Sequence, residues 1–466
     1  MVDKKVVILD GTRTEDRHLE PILTLLTDAL KKKYTTQIKQ FRLRHIEIKH
    51  CIGCFNCWVK TPGKCIYNDG GADVLQDILK CDILVLFTPV VFGGYSSELK
   101  KIIDRFLPFW LPFFQKIHGE THHPFRYPTL SRLIGIGVHS QPSKNISKCF
   151  KMLVGRNAKN LYPTSYTANV ISSADSKEKL SSQFQALLTV KDEIPRSNSL
   201  ISFMNNIPPE VDTVSVGNRT VLLLVGSPKL KKPSTSEVLG FSLLKKLEKR
   251  GWKTESLTLS ESILKGKEGQ KVLFSAVKKA GIILLAFPLY IDTLPFLVIK
   301  TLELITRKKK EVMQPYCEKY LLAIINNGFP EAYQNAPALS VCQNFALESG
   351  MIWAGGLAMG AGEALLSGQP ITGFKGYKSI FRPPLYHVNQ ALNLTATSLS
   401  YGHPVPGKAV QLMMQKPIPF MSFNFWRYIY MQLVKRIVER EVKENGFNKR
   451  ALYDKPYEQR CSDEKF

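Results

Sequence analysis

Val6–Leu30, VVILDGTRTEDRHLEPILTLLTDAL, reads as an apolar strand, a polar turn loop and an amphipathic helix, and Val221–Leu247, VLLLVGSPKLKKPSTSEVLGFSLLKKL, repeats that order. A second pair follows. CDILVLFTPVVFGGYSSELKKIIDRF from Cys81 matches GIILLAFPLYIDTLPFLVIKTLELI from Gly281 as buried strand, proline-containing loop and helix. A third pair sets the strand at Arg132 against the strand at Tyr320, each followed by a polar loop and another helix. Two copies of one alternating unit therefore lie roughly 190 to 215 residues apart.

Continuous apolar strands alternating with helices require a parallel sheet covered on both faces, since a half-wet strand would alternate polar and apolar. The expected fold is α/β: two flavodoxin-like, doubly wound, five-stranded parallel sheets in tandem, plus a mainly helical C-terminal extension. Strands are expected near Val6–Leu9, Gln37–Phe41, Ile83–Phe87, Leu133–Val138 and Tyr162–Val170, then near Val221–Val225, Lys253–Leu257, Ile282–Ala286, Leu321–Ile325 and Met351–Ala354. The corresponding domains are 1–195, a Ser/Lys/Asn-rich linker 196–218, a second sheet domain 219–358 and an extension 359–466. The extension carries a turn-rich stretch from Pro370 to Gly376 and a helix pattern from Phe423 to Asn445.

That helix mixes Trp426, Tyr428, Tyr430, Met431 and Val434 with Arg427, Lys435 and Arg436. An interfacial membrane helix has this pattern, and so does a helix packed over a domain or closing a dimer; Glu439, Glu441 and Glu444 favour the last two. The aromatic run FLPFWLPFF from Phe106 is expected to form a lid or a subunit contact.

Among 466 residues, 64 Lys and Arg face 39 Asp and Glu, a formal charge of +25. The basic residues are spread along the chain, with no nucleic-acid readout module, so an anionic small molecule or an acidic protein partner is expected rather than nucleic acid. MVDKKVVILDG enters a strand directly, and no uncharged apolar run reaches about twenty residues, so neither export nor a transmembrane segment is expected and the location reads as cytoplasmic.

Four of nine cysteines, Cys51, Cys54, Cys57 and Cys65, fall in CIGCFNCWVKTPGKC. Thiolates at this spacing line one side of a tight loop, where they can cap a 4Fe-4S cube, with Gly53 and Gly63 letting the backbone bend. A tetrahedral zinc and a set of free or redox-active thiols remain alternatives. Cys81, Cys149, Cys317, Cys342 and Cys461 are scattered and read as buried small hydrophobes or inert surface thiols.

The strand-end loops carry further candidates. Gly226, Ser227, Ser234 and Thr235, with Ser236, open a helix and suit a phosphate; simple N-capping uses the same residue types. In the first copy Gly11, Thr12 and Thr14 suit phosphate, whereas Glu15 and Asp16 would repel it, with Arg13, Arg17 and His18 as offsets. The loops holding Pro89, Phe92, Gly93 and Tyr95, and Pro288, Leu289 and Tyr290, offer flat aromatics and bare backbone to a planar ring.

The order of GT or GSP loop, cysteine run with Asp69 after it, and TPVVFGGYSSELKKIIDRF resembles the iron-sulfur flavoprotein branch of the NADPH-dependent FMN reductase family. The likeness covers residues 4–140, and 219–356 resemble a cysteine-free member. It implies FMN at the sheet edge, NAD(P)H or ferredoxin as electron donor, and a 4Fe-4S cluster on the four cysteines. The residues falling on its phosphate and ring loops are those above, joined by Asn327 and Gly328 on a fourth-strand flavin-side loop; Tyr95 and Tyr290 are the implied ring-stackers, and no catalytic acid or base is needed. The seven residues between Cys57 and Cys65 exceed the usual spacing, and the first copy lacks the Ser/Gly-rich phosphate text. The implied function is an FMN-dependent oxidoreductase serving an unassigned acceptor, acting as a homo-oligomer or as an internal pseudo-dimer of its two copies. A non-enzymatic electron carrier or a thiol or metal redox sensor is the alternative.

Overall fold

In the computed structural model the described residues are 3–215, 217–229, 233–312, 319–366, 368, 371, 385–418 and 421–458. The apolar runs form strands β1 (Asp3–Asp10), β2 (Thr35–Arg42), β3 (Ile83–Pro89), β4 (Arg132–His139) and β5 (Ser165–Ser172), all parallel, in the order β2-β1-β3-β4-β5. A second sheet, β6 (Thr220–Val225), β7 (Lys253–Thr258), β8 (Ile282–Pro288), β9 (Tyr320–Asn326) and β10 (Ile352–Met359), has the same order, β7-β6-β8-β9-β10. This 2-1-3-4-5 order is flavodoxin-like, with its switch point beside the first strand.

Helices of the first sheet are α1 (Glu20–Lys33), α2 (Gly70–Lys80), α3 (Ser97–Ile103), α4 (Lys144–Leu161) and α5 (Lys177–Thr189). They cover strands that are apolar on both faces: on one side Val6, Ile8, Val85, Phe87, Ile134 and Ile136 meet Leu23, Leu26 and Leu30 of α1 and Leu180 and Phe184 of α5. The stretch expected as linker, 196–218, instead begins with a helix, α6 (Ser197–Asn205), because Leu200, Phe203 and Met204 bury one face, and it packs on a helix of the second sheet.

The second sheet carries α7 (Thr235–Glu248), α8 (Lys267–Lys279), α9 (Phe296–Val312) and α10 (Ala336–Ser349). After residue 359 the chain continues this domain. In α11 (Tyr386–Ser400) Val388, Leu392 and Leu399, and in α12 (Gly407–Met413) Ala409 and Met413, join Leu239, Leu243 and Val221 in one core. Thus α11 packs against α7 as α5 packs against α1. It completes the repeat after a much longer connection than the one before α5, so the second domain extends past the boundary expected at 358. The last described α-helix is α13 (Phe423–Glu444).

Two compact units result, residues 1–196 with 431–466, and residues 197–430. The turn-rich stretch Pro370–Gly376 lies outside the described residues apart from Ile371, as do Cys317 and Cys461. No described helix is long and apolar enough to cross a membrane.

Candidate functional site

The cysteine loop runs from Lys49 to Asp69 and is closed by an ion pair. Asp69 caps α2 by accepting from the Gly71 amide at 3.1 Å, and it also accepts from the Lys49 amide at 2.8 Å and from Arg105 at 3.0 Å. Arg105, 1% exposed, donates in turn to the Lys49 carbonyl at 2.8 Å. Burial pushes the Asp69 carboxyl up, but hydrogen bonds from Arg105 and the Lys49 amide outweigh it and hold the group below the ordinary carboxylate range.

Inside this frame the backbone turns through left-handed residues at Gly53 (φ 60°), Phe55 (φ 54°) and Gly63 (φ 79°). Gly63 has a second reason to be glycine: a Cβ there would stand 2.7 Å from Pro456 and 2.9 Å from the Asp454 carbonyl. Asn56–Val59 form one short helical turn, and Trp58 donates to the Trp110 carbonyl at 3.0 Å. The C-terminal segment closes over the far side, where Val438, Val442 and Leu452 pack on Cys57, Trp58 and Val59. Arg126 fixes that segment by donating to the Asp454 carbonyl at 2.8 Å.

The four loop cysteines line one recess with Ile52, Phe55, Tyr67, Asp104, Arg105 and Leu107. Burial pushes the Cys51 thiol up to about 12, only partly offset by the Gly53 amide, and it pushes Cys57 well above the ordinary thiol range, helped by Cys51 and Cys65. Among the described residues, no group of three or more His, Cys, Asp or Glu side chains is arranged to hold a metal ion. Of the other cysteines, Cys81, Cys149 and Cys342 are buried, as small hydrophobes are.

The aromatic run FLPFWLPFF is not a lid. Phe106, Phe109 and Trp110 are buried, and Phe109 stacks on Phe106 with Phe125 and Tyr127 edge-on to it.

In the first sheet the loop after β1 is occupied by its own charges. Asp10, fully buried, accepts from the Thr12 amide at 2.9 Å and from the Thr12 hydroxyl at 2.5 Å. Arg44 reaches Asp10 at 3.2 Å, Thr12, and Glu20 at 2.7 Å, while Arg13 binds Asp16 at 2.7 Å. Thr14 is exposed. Gly11 is glycine because a Cβ there would stand 2.5 Å from Leu99 Cβ. The expected phosphate loop is thus a satisfied ion-pair network with buried carboxylates, which opposes a phosphate dianion.

The second sheet differs. Ser234 caps α7 by accepting from the Glu237 amide at 3.1 Å, and Glu237 accepts from the Ser234 amide at 3.1 Å, a capping box. Ser227, Thr235 and Ser236 are buried, and Ser236 donates to Asn326 Oδ1 at 2.6 Å. Glu363 lies 3.5 Å from the Thr235 hydroxyl and is neutralised by Lys229 at 2.6 Å. Here too Gly226 is a packing glycine, since a Cβ would stand 2.2 Å from Val298.

The third-strand loops share one turn. Val91 and Gly94 exchange both backbone hydrogen bonds around Phe92 (φ 54°) and Gly93 (φ 80°), as Tyr290 and Thr293 do around Ile291 (φ 40°) and Asp292 (φ 66°). Both are primed turns, and the left-handed Ile291 is strained, since a β-branched residue rarely adopts that conformation. This superposition pairs Tyr290 with Val91, not with Tyr95. Tyr95 is fully buried, donates to Asn157 Oδ1 at 2.7 Å and sits edge-on to Phe150, so it is a core residue and not a ring-stacker. Pro89 and Phe92 are also buried, whereas Pro288, Leu289 and Tyr290 are half-buried and Gly328 is exposed. Asn327 donates through Nδ2 to the Glu331 carbonyl at 3.0 Å, and its buried Oδ1 meets no hydrogen-bond partner among the described residues. The Asp69–Arg105 clamp, the Asp10–Arg44 network and the C-terminal cover on the cysteine loop were missed from sequence; a lone arginine inside the apolar stretch IIDRFLPF was the one available signal.

Sheet order and strand-end loops define a tandem flavodoxin-like protein. Residues 4–121 match the profile of the NADPH-dependent FMN reductase family. Curated relatives include an iron-sulfur flavoprotein of Methanocaldococcus jannaschii, 39% identical over 67 residues (14% of this chain, 34% of the relative), and one of Archaeoglobus fulgidus, 34% identical over 101 residues (22% and 48%). The chain spans between a third and a half of the length of these two relatives. Among solved structures it is similar to an NAD(P)H:quinone oxidoreductase of Methanothermobacter marburgensis, at 10% identity and TM-score 0.30 over 40% of this chain and 97% of that one. An FMN-dependent NADH-azoreductase of Bacillus anthracis gives 12% and 0.28 over 39% and 94%.

Proposed function

We propose that the protein is an FMN-dependent oxidoreductase that passes electrons between NAD(P)H, or an acidic carrier such as ferredoxin, and an acceptor, with a 4Fe-4S cluster on the cysteine loop. The observation that carries this reading is the single recess lined by Cys51, Cys54, Cys57 and Cys65 within a stretch matching the FMN reductase family. The donor set fits a cluster: four sulfurs, a Gly53 amide directed at Cys51, and a buried arginine beside them.

For the flavin, the second unit is the better host. Ser227, Ser234 and Thr235 with the α7 amides would receive the phosphate; Leu289, Tyr290 and Gly328 would border the ring; and the open Asn327 Oδ1 suits a ring imide N–H. Bound FMN supplies two-electron acceptance with one-electron release, and a cluster supplies single-electron relay. The chain's part is to bind, orient and exclude water, and the +25 charge favours docking of an acidic carrier.

The test is the absorption spectrum of anaerobically purified protein, with iron, sulfide, zinc and FMN assayed on the same sample. Flavin bands, a broad shoulder near 400 nm and about four irons per chain are expected. Flavin without iron would remove the cluster. Neither chromophore, even after FMN is added, would sink the oxidoreductase reading.

A further inference from the structure

Helix α13 is anchored on one side and bare on the other. Trp426, Arg427 and Tyr430 are buried; Arg427 pairs with Glu331 at 3.0 Å, and Tyr430 donates to the Gly328 carbonyl at 2.6 Å. Between them Phe425 is 54% exposed, Tyr428 59%, Ile429 37% and Leu433 46%. Steps of three and four residues place these four side chains in one stripe. The next two turns of the helix continue with exposed Lys435, Arg436 and Arg440. The acidic residues that argued against a lipid contact lie in this second half, where Glu439 is bound by Lys449 and Glu444 lies 3.5 Å from Arg440.

We propose that this face of α13 is a peripheral docking surface for an anionic lipid bilayer, with the aromatic and aliphatic stripe seated at the headgroup level and the basic turns against the lipid charge. An aromatic and aliphatic face bordered by Lys and Arg is the pattern of helices that lie in a membrane interface. A second copy of the chain is the competing occupant, and two observations disfavour it. The stripe presents on the order of 400 Å² of apolar surface, about half of the ~800 Å² per partner that a stable interface buries. Each copy also carries +25, which repels another copy and attracts an anionic leaflet. Attachment is by surface contact, since no described helix can cross a bilayer.

The experiment is co-sedimentation of the full chain with phosphatidylcholine vesicles, with and without about one third phosphatidylserine. The expected result is binding to the anionic vesicles alone, weakened about tenfold or more by raising salt from roughly 0.05 to 0.5 M. The variant F425S/Y428S/I429S should lower the partition coefficient about tenfold, with an unchanged thermal melt as the folding control. A second variant, R436E/R440E, touches only exposed residues and should do the same. Equal binding by both variants, or equal binding to neutral vesicles, overturns the proposal. So does a concentration-dependent dimer in sedimentation velocity that the triple variant abolishes.

Discussion

His123 shows how much a single side chain packed between aromatic rings constrains this protein. Its Nδ1 meets the Leu111 and Phe113 carbonyls at 3.1 and 2.8 Å, and its ring lies between Trp58 and Phe114, so burial depresses its pKa to about 4. His387 is buried beside α12 and likewise depressed to about 4. An unfolded histidine titrates near 6.5, so between that value and about 4 the unfolded chain binds protons that the folded chain refuses. These groups contribute fully above pH 6.5 and lose their contribution as pH falls toward 4. Unfolding free energies from urea titrations between pH 7.5 and 4.5 should fall on the order of a few kcal/mol in total, and His123→Phe should flatten part of that slope. Tyr95 makes a second residue-scale test. Tyr95→Phe should cost about 1 kcal/mol through the lost bond to Asn157 and leave FMN affinity unchanged, as a core residue would; a large loss of affinity would restore it to the ring site.

Elements were legible where a strong period met a short connection. The ten strands of the two five-stranded sheets lie close to where the sequence placed them, and the helix expected at Phe423–Asn445 appears at Phe423–Glu444. What hid was long-range pairing. Nothing local says that Arg44 turns back to Asp10, that Arg105 clamps Asp69, or that α11 completes the second domain, because these contacts join residues far apart in the chain. Composition was equally blind to Tyr95, whose burial is set by α4 and not by its loop. The Asp69–Arg105 pair gives the element-scale prediction. Asp69→Asn removes the charge partner of a buried guanidinium and should destabilise by about 3 kcal/mol in urea unfolding. It should also lower iron per chain, because Asp69 ties both ends of the cysteine loop. Unchanged iron would mean that the loop is held by its other packing.

At the scale of the whole chain, the two sheets share one strand order and differ in their loops. In the first, buried Asp10 with Arg44 and Glu20 fills the space after β1. In the second, the same position offers Ser227, Ser234 and Thr235 at the start of a 14-residue helix, with Lys229 balancing Glu363. A phosphate dianion in the first loop would have to displace a carboxylate already bonded to the Thr12 amide and hydroxyl, whereas in the second it meets hydroxyls and helix amides. Flavin should therefore load once per chain. Fluorescence titration of FMN into the full protein should reach one equivalent, and the second-loop variant S227A/T235V should weaken binding by about tenfold or more, the worth of one or two hydrogen bonds to a charged group. Thr12→Val should leave that affinity unchanged while reducing stability. Ser234→Ala would cost about 1 kcal/mol of helix capping by itself, so its effect on FMN is interpretable only beside its effect on unfolding. Two equivalents would put a flavin in each sheet, and a loss of FMN on Thr12→Val with S227A/T235V silent would move it to the first; either would make the Asp10–Arg44 network something that opens when FMN arrives.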